Sequence, residues 1–325
     1  MNRSPWLSKS KLTWIVLFGL ICWPASNFAA QFSAERTGFT VRANGLDMAY
    51  KIMSLFVLPK EKINLEIVSP ELNGCYRLYA SRVQERWSGK NRWQLQAPEQ
   101  TGLYPLVLTD SQQTRSMTLN LFVMVPFKEL RGEYLNGYHI GTYPKPSNKK
   151  LPIYNPPRGF LEVTQTNADL LLSPHFKVGQ FLCKQQGCFP KYLVLEERLL
   201  LKLELILEKV NQWGYPCQTF QIMSGYRTPY YNRAIGNVKY SCHIYGGAAD
   251  IFIDEDPKDN AMDDLNRDGR VDYHDAAVLY DIVDKLYGQE SYELLVGGLG
   301  RYRSTDHHGP FVHVDVRGSR ARWGY

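Results

Sequence analysis

The chain has 325 residues, of which 44% are hydrophobic and 22% charged, with a formal net charge of +6. This composition lies near the average for folded soluble proteins and excludes a disordered chain or a polytopic membrane protein. The length is enough for two domains, each with its own core.

Residues 1–30 have the layout of a secretory signal peptide: Arg3, Lys9 and Lys11, an apolar run from Leu12 to Trp23, then small residues. That run is 12 residues long, short of the roughly 20 that span a bilayer. Cleavage is expected near Ala29 or Ala30. Asn27 and Phe28 are poor residues ahead of a cut, which keeps an uncleaved N-terminal anchor open. Cys22 follows bulky Ile21 and is not a lipid-attachment cysteine. Losing the leader removes three positive charges and takes +6 to +3, a mild balance that gives no argument for nucleic acid. The mature chain is expected in the periplasm or outside the cell, without a membrane span. No feature of the sequence reports an oligomeric state.

From Gln31 to Val125 short runs alternate apolar and polar residues, among them "FTVRA", "INLEIV", "RWQLQA" and "MTLNLFVMV", punctuated by Gly, Pro, Asn and Ser. Strands at that spacing predict a small all-β, sandwich-like domain over 31–125 with no catalytic feature of its own. Residues 126–160, rich in Pro, Gly and Tyr, read as an irregular connector. Then "EERLLLKLELILEKVNQWGY" predicts a helix: Leu200, Leu203, Ile206, Leu207 and Val210 recur at helical spacing and Gly214 supplies the stop. "QTFQIMS", "AADIFID" and "FVHVDV" are strand candidates, and "AAVLYDIVDKLYG" a second helix. Strands and helices without regular alternation predict an α+β domain over 161–325.

Five cysteines follow the leader. In an exported chain they are expected to form disulfides, first Cys183 with Cys188 across "CKQQGC", then Cys217 with Cys242, leaving Cys75 free. No C-x-x-C pair supports a cysteine zinc site.

The stretch "SCHIYGGAAD" places His243 seven residues before Asp250. On a straight helix seven residues rise about 10.5 Å, too far for two ligands that each sit about 2 Å from one zinc ion. The pair meets at an ion only if the chain folds back, and Gly246 and Gly247 permit that turn. In "FVHVDV", period-2 alternation turns Val312, Val314 and Val316 to the core and puts Phe311, His313 and Asp315 on the other face. Two histidines and a carboxylate leave one zinc position open, as in hydrolytic sites. A lone histidine beside a strand is ordinarily structural; the argument rests on the combination.

"SGYRTPYYN" at 224–232, the pattern Ser241, His243, Gly246, Ala248, Asp250, then "GGLGRY" and "FVHVDVRGSRARW", together resemble the zinc D-Ala-D-Ala carboxypeptidase and murein endopeptidase family, whose domain is Hedgehog-like. "SPHFKVGQFLC" at 173–183 looks like the segment that opens that domain. The resemblance implies an antiparallel sheet with packed helices, and zinc bound by His243, Asp250 and His313. It also implies that Arg227 faces a substrate carboxylate or a developing oxyanion, a role suited to its planar donors. Asp315 is placed either as the proton acceptor or as a partner that orients a ligand histidine. Many relatives carry His or Glu shortly before the last ligand; here Phe311 occupies the position two before His313, which leaves the general base open. Asp306, His307 and His308 are neighbours able to serve instead.

"DLNRDGRVDYHD" matches a calcium loop, with Asp264, Asn266, Asp268, Asp272 and Asp275 at places 1, 3, 5, 9 and 12, Gly269 at the turn and Arg270 offering its carbonyl. It falls in a segment, 254–290, that looks inserted relative to the family, and calcium there is expected to order the chain and take no part in chemistry. The expected function is an exported zinc peptidase acting on the peptide stems or crosslinks of bacterial peptidoglycan, with a noncatalytic metal-containing wall-binding module of the same fold as the alternative.

Overall fold

Alternation of apolar and polar residues builds the first nine strands. β1 (Arg36–Ala43), β2 (Leu46–Tyr50), β4 (Lys62–Ile67), β6 (Gln84–Gly89) and β7 (Arg92–Gln96) form a sheet of order β2-β1-β4-β7-β6. β3 (Ile52–Val57), β5 (Tyr76–Ala80), β8 (Gly102–Asp110) and β9 (Ser116–Val123) form a second, of order β3-β9-β8-β5, in which β3 runs parallel to β9. Every second residue is buried: Phe39, Val41 and Ala43 on β1, Met117, Leu119 and Leu121 on β9. Asn44 and Gly45 join β1 to β2, both at positive φ (49° and 88°), the conformation that a two-residue hairpin with right-handed strand twist requires. The structure, a computed structural model, describes residues 1, 31–68, 74–145 and 151–324. The expected leader, its cleavage site and the anchor alternative fall at residues outside the described ones, Met1 apart. No described helix is long and apolar enough to cross a membrane.

Residues Phe32–Tyr325 cluster as one compact unit. The expected connector is more ordered than its composition suggests, since it holds a two-stranded hairpin (Tyr134–Leu135 with Tyr138–His139) and the short 3-10 helix Pro152–Tyr154. Direct bonds tie the N-terminal strands to the C-terminal half of the chain. Ser54 Oγ donates to Leu172 O at 2.8 Å, Phe56 N to Glu197 Oε1 at 2.8 Å, and Arg36 pairs with Glu208 at 2.9 Å.

α1 (Glu197–Gln212) runs through this junction and ends at Gly214, φ 86°. Its apolar stripe is buried as its periodicity implies, but so are Lys202, Glu204 and Glu208. Protein covers the flanks that an isolated amphipathic helix would leave in water: Glu208 pairs with Arg36, Glu204 accepts from His175, and Lys202 donates to the Leu295 and Asp315 carbonyls of the C-terminal sheet region. Burial raises the Glu197 carboxyl to about 7, against the bond from Phe56 N that favours its ionised form.

The second large sheet holds β10 (Gln221–Ser224), β11 (Ala248–Phe252), β12 (Gly298–Tyr302), β13 (Phe311–Asp315) and β14 (Ala321–Trp323) in the order β10-β11-β13-β12-β14. All pairings are antiparallel except β12 with β14. The short α2 (Pro229–Ala234) comes after β10, capped by Thr228, whose side chain accepts from Tyr231 N. α3 (Tyr273–Asp284) packs on β12 and β13, and α1 touches α3. β13 sits between β11 and β12 and is buried on both faces. The valine face meets the core, and the His313 and Asp315 face is closed over by neighbouring side chains.

The cysteine expectation is corrected. None of the five described cysteines is disulfide-bonded. Cys183 is buried and Cys188 exposed. Cys217 is buried with its thiol donating to Thr219 O at 3.2 Å, and Cys242 is buried beside Tyr154. Burial pushes the Cys242 thiol up to about 12 and the Cys217 thiol higher still, so both are neutral and unreactive.

Candidate metal centre

The site begins at a break in helical structure. Residues Cys242–Tyr245 make one 3-10 turn that ends at Gly246, φ 72°, and β11 starts two residues later. A side chain at Gly246 would stand 2.4 Å from the Val194 carbonyl, so both the turn and the close backbone contact need glycine. This reversal returns the chain to Asp250. Asp250 is the register partner of His313 across β11 and β13.

Ligand atoms of His243, Asp250 and His313 all lie within 4.8 Å of one another, and all three residues are buried. His243 Nε2 is 3.3 Å from Asp250 Oδ1 and 3.2 Å from His313 Nδ1, and His313 Nδ1 is 2.8 Å from Asp250 Oδ1. The outer ring nitrogens decide the tautomers. His243 Nδ1 lies 2.7 Å from Gly225 O, which can only accept, so Nδ1 carries the proton and Nε2 the lone pair. His313 Nε2 lies 3.2 Å from Asp315 Oδ2, a carboxylate that can take the Nε2 proton and leave the Nδ1 lone pair to a cation beside Asp250. In that tautomer two lone pairs and a carboxylate oxygen converge on one point. Such a set fits a divalent cation, and nitrogen and oxygen donors of this kind suit zinc.

Electrostatics favour an ionised Asp250 and a neutral His243, whereas at His313 burial, which lowers its pKa, is outweighed by Asp250 and Asp315, so a bound cation would have to displace a proton there. Burial alone would raise the Asp250 carboxyl, but His243 and His313 together hold it well below the usual carboxylate range. Burial lowers His243, which favours the neutral imidazole a ligand must be. Arg227 donates from Nη2 to Asp250 Oδ2 at 2.6 Å and from Nε to Ser224 Oγ at 2.8 Å. The "SGYR" turn therefore serves the centre three times, through the Ser224 hydroxyl, the Gly225 carbonyl and the Arg227 guanidinium. The sequence singled out only the arginine.

The centre opens into a cleft of about 930 Å³. Tyr302 and Phe311 stack at 4.5 Å along one wall, and Trp323 stands 5.2 Å from the His313 ring, its Nε1 donating to Tyr302 Oη at 2.7 Å. A side chain at Gly298 or Gly300 would run into the Trp323 indole, so the bare stretch "GLG" on β12 is the bed on which that ring lies. Composition gave no sign of this, because β12 and β14 become neighbours only in the folded sheet.

Asp315 requires a correction as proton acceptor. Its carboxylate is fully buried, is absent from the cleft lining, and accepts from Gly298 N at 2.8 Å and Arg317 Nη2 at 2.5 Å besides His313. Burial opposes its charge, but His313 and Arg317 outweigh that and depress the carboxyl far below the usual range. A group so placed orients His313. Behind it Lys202, wholly buried, donates to Asp315 O at 2.6 Å and Leu295 O at 3.1 Å, and burial lowers its ammonium to about 7. Neither Lys202 nor Arg317 stood out in the sequence, since a lysine within a leucine-rich helix reads as solvated. His307 and His308 line the cleft, whereas Asp306 does not.

In the acidic loop the carboxylates turn onto the loop's own backbone. Asp264 accepts from Gly269 N at 2.7 Å, Asp275 from Asp272 N at 2.7 Å and Asn266 N at 3.1 Å, and Asp268 from Arg270 N at 3.0 Å, while Gly269 has φ 84°. Asp272 caps α3 through His274 N. Among the described residues, only His243, Asp250 and His313 come together as a group of three metal-ligating side chains, so the calcium expectation gains no support from clustering.

Comparisons with known proteins add one partial match. Two solved structures, titin M4 in a trigonal form and the titin M3 domain, align with 26% of this chain and 95% and 97% of their own at 13% and 11% identity, each with a TM-score of 0.17. Likeness at that score carries no argument. A comparison with curated proteins found no match. Residues 174–272 match the family model described as Peptidase M15, a span that contains Arg227, His243 and Asp250 and stops short of His313. That match points to a peptidase, and the buried His-Asp-His group is of the kind a zinc-dependent one needs.

Proposed function

We propose that the protein is an exported zinc peptidase that hydrolyses the peptide stems or crosslinks of bacterial peptidoglycan. The observation that carries this reading is the convergence of three ligand atoms within 4.8 Å at the base of an open cleft, with Arg227 against them. His243 Nε2, Asp250 Oδ1 and His313 Nδ1 would hold the ion. Zinc in such a site activates a water and polarises the scissile carbonyl. Arg227, locked by Asp250 and Ser224, presents its remaining N–H groups to the charge that develops on that carbonyl.

The proton acceptor is placed at His308. Among the described residues Asp250 is the only carboxylate that lines the cleft, and it is a ligand. His308 is half-buried there, with Nδ1 2.8 Å from Gly309 O, so Nδ1 carries the proton and Nε2 is free to accept. The same scarcity of acidic groups is the observation behind the second reading, a wall-binding module that keeps the metal without turnover. Incubating the purified protein with muropeptides of known linkage, with and without a zinc chelator, and weighing the products separates the two. Chelator-sensitive cleavage that disappears in His243→Ala is expected. Wall binding without cleavage by the zinc-loaded protein overturns the peptidase reading.

We also read 264–275 as a calcium loop that orders the 254–290 segment, on the strength of its residue pattern and the tight turn at Gly269. Removing calcium with zinc retained should lower the melting temperature; an unchanged melting curve overturns it.

A further inference from the structure

Among the described residues the cleft is lined by four fixed cations, Lys184, Arg227, Lys239 and Arg317, and by a single carboxylate, Asp250. Two of the cations are already committed, Arg227 to Asp250 at 2.6 Å and Arg317 to Asp315 at 2.5 Å. Lys184 and Lys239 are exposed and have no ion-pair partner among the described residues. We propose that Lys184 and Lys239 form a carboxylate-selecting subsite, so that the cleft prefers peptides bearing a free carboxylate away from the scissile bond. The inference rests on the peptidase reading above and deepens it.

Both lysines spring from anchored backbone, although their side chains make no ion pair among the described residues. Lys184 lies between Cys183 and Gln185, both buried, and the Gln185 amide is clamped, donating to His139 O at 3.0 Å and accepting from Thr228 Oγ1 at 2.5 Å. Lys239 follows Val238, whose carbonyl accepts from Asn232 Nδ2 at 3.0 Å and whose N–H donates to Asn237 Oδ1 at 2.8 Å. Its ammonium is 5.6 Å from the centre of the Tyr240 ring, on the cleft wall. Unpaired charges of one sign in a cleft with low-dielectric walls concentrate the opposite charge there. A stem peptide offers two sources of it, the D-glutamyl carboxylate and the C-terminal carboxylate.

The test uses the zinc-loaded full chain, its Lys184→Gln, Lys239→Gln and double variants, and a synthetic stem pentapeptide (L-Ala-γ-D-Glu-L-Lys-D-Ala-D-Ala) with both carboxylates free, with the D-glutamyl group amidated, or with the C-terminus amidated. In the double variant KM for the free acid is expected to rise about tenfold with kcat within about twofold of wild type. One of the amides should show no such rise, and it identifies the carboxylate that is read. Cleavage of all three peptides with equal KM by the wild type, or a double variant that keeps the wild-type KM ratios, overturns the subsite while leaving the peptidase reading intact. If nothing is cleaved but calorimetry shows lysine-dependent preference for the free acid, the subsite stands and the peptidase reading falls.

Discussion

The imidazole of His313 is held from behind by Asp315, with Nε2 3.2 Å from Oδ2 on the side turned away from the cleft. A carboxylate there fixes the tautomer that leaves Nδ1 free for a metal, and strengthens that nitrogen as a ligand. Asp315→Asn should therefore weaken zinc binding by about 10- to 100-fold, measured by competition with a chelating dye, and activity should return as zinc is added. A role as proton acceptor makes the opposite forecast: zinc affinity intact and activity lost at every zinc concentration.

His308→Ala should lower kcat by about 10²-fold while leaving zinc content unchanged, because it removes the acceptor and no ligand. The measurement is a pH–rate profile beside metal analysis. A variant with wild-type kcat returns the search to His307.

Gly246→Ala combines a positive φ with a side chain 2.4 Å from the Val194 carbonyl, in a turn whose own carbonyl accepts from Glu196 N at 3.0 Å. A cost of about 2–4 kcal/mol is expected, near the upper end for single substitutions. Thermal melting checks it, and an unchanged melting temperature means that the turn relaxes without strain.

His175 links pH to stability. Burial would lower its pKa, but the Glu204 hydrogen bond at 2.7 Å, that residue's charge and the contact with Ser33 O outweigh burial and raise it. A raised folded-state pKa means that the stabilisation is fully present below the unfolded value of about 6.5 and is lost as pH rises through the folded value. Wild type should accordingly lose part of its advantage over His175→Gln as the pH is raised from about 6 through the folded pKa. Equal melting differences across that range would show that His175 is not charged in the fold.

Much of this chain is legible without coordinates because the patterns are local. The alternation in "FTVRA" and "MTLNLFVMV" reports strands, the leucine spacing in 200–210 reports α1, and the seven-residue step with two glycines reports the reversal that joins His243 to Asp250. Burial of Lys202, Glu204 and Glu208 was not legible, since it depends on segments far away in the chain, Asp315 and Leu295 for the lysine and His175 and Arg36 for the glutamates, closing over α1. The disulfide expectation failed for a related reason. Loop spacing shows that Cys183 and Cys188 lie near each other along the chain, but only packing decides that one is buried and the other exposed.

By itself the sequence determined which residue types are available for metal chemistry and where the backbone bends to present them, because helical period, strand period and glycine turns act over a few residues. Only the tertiary structure decided that Asp315 turns its carboxylate inward to His313 and Arg317, that Trp323 lies on the bare strand at Gly298 and Gly300, and that Lys184 and Lys239 line one cleft. Those outcomes come from strand order and close packing, which join segments far apart in the chain and leave no periodic trace in it.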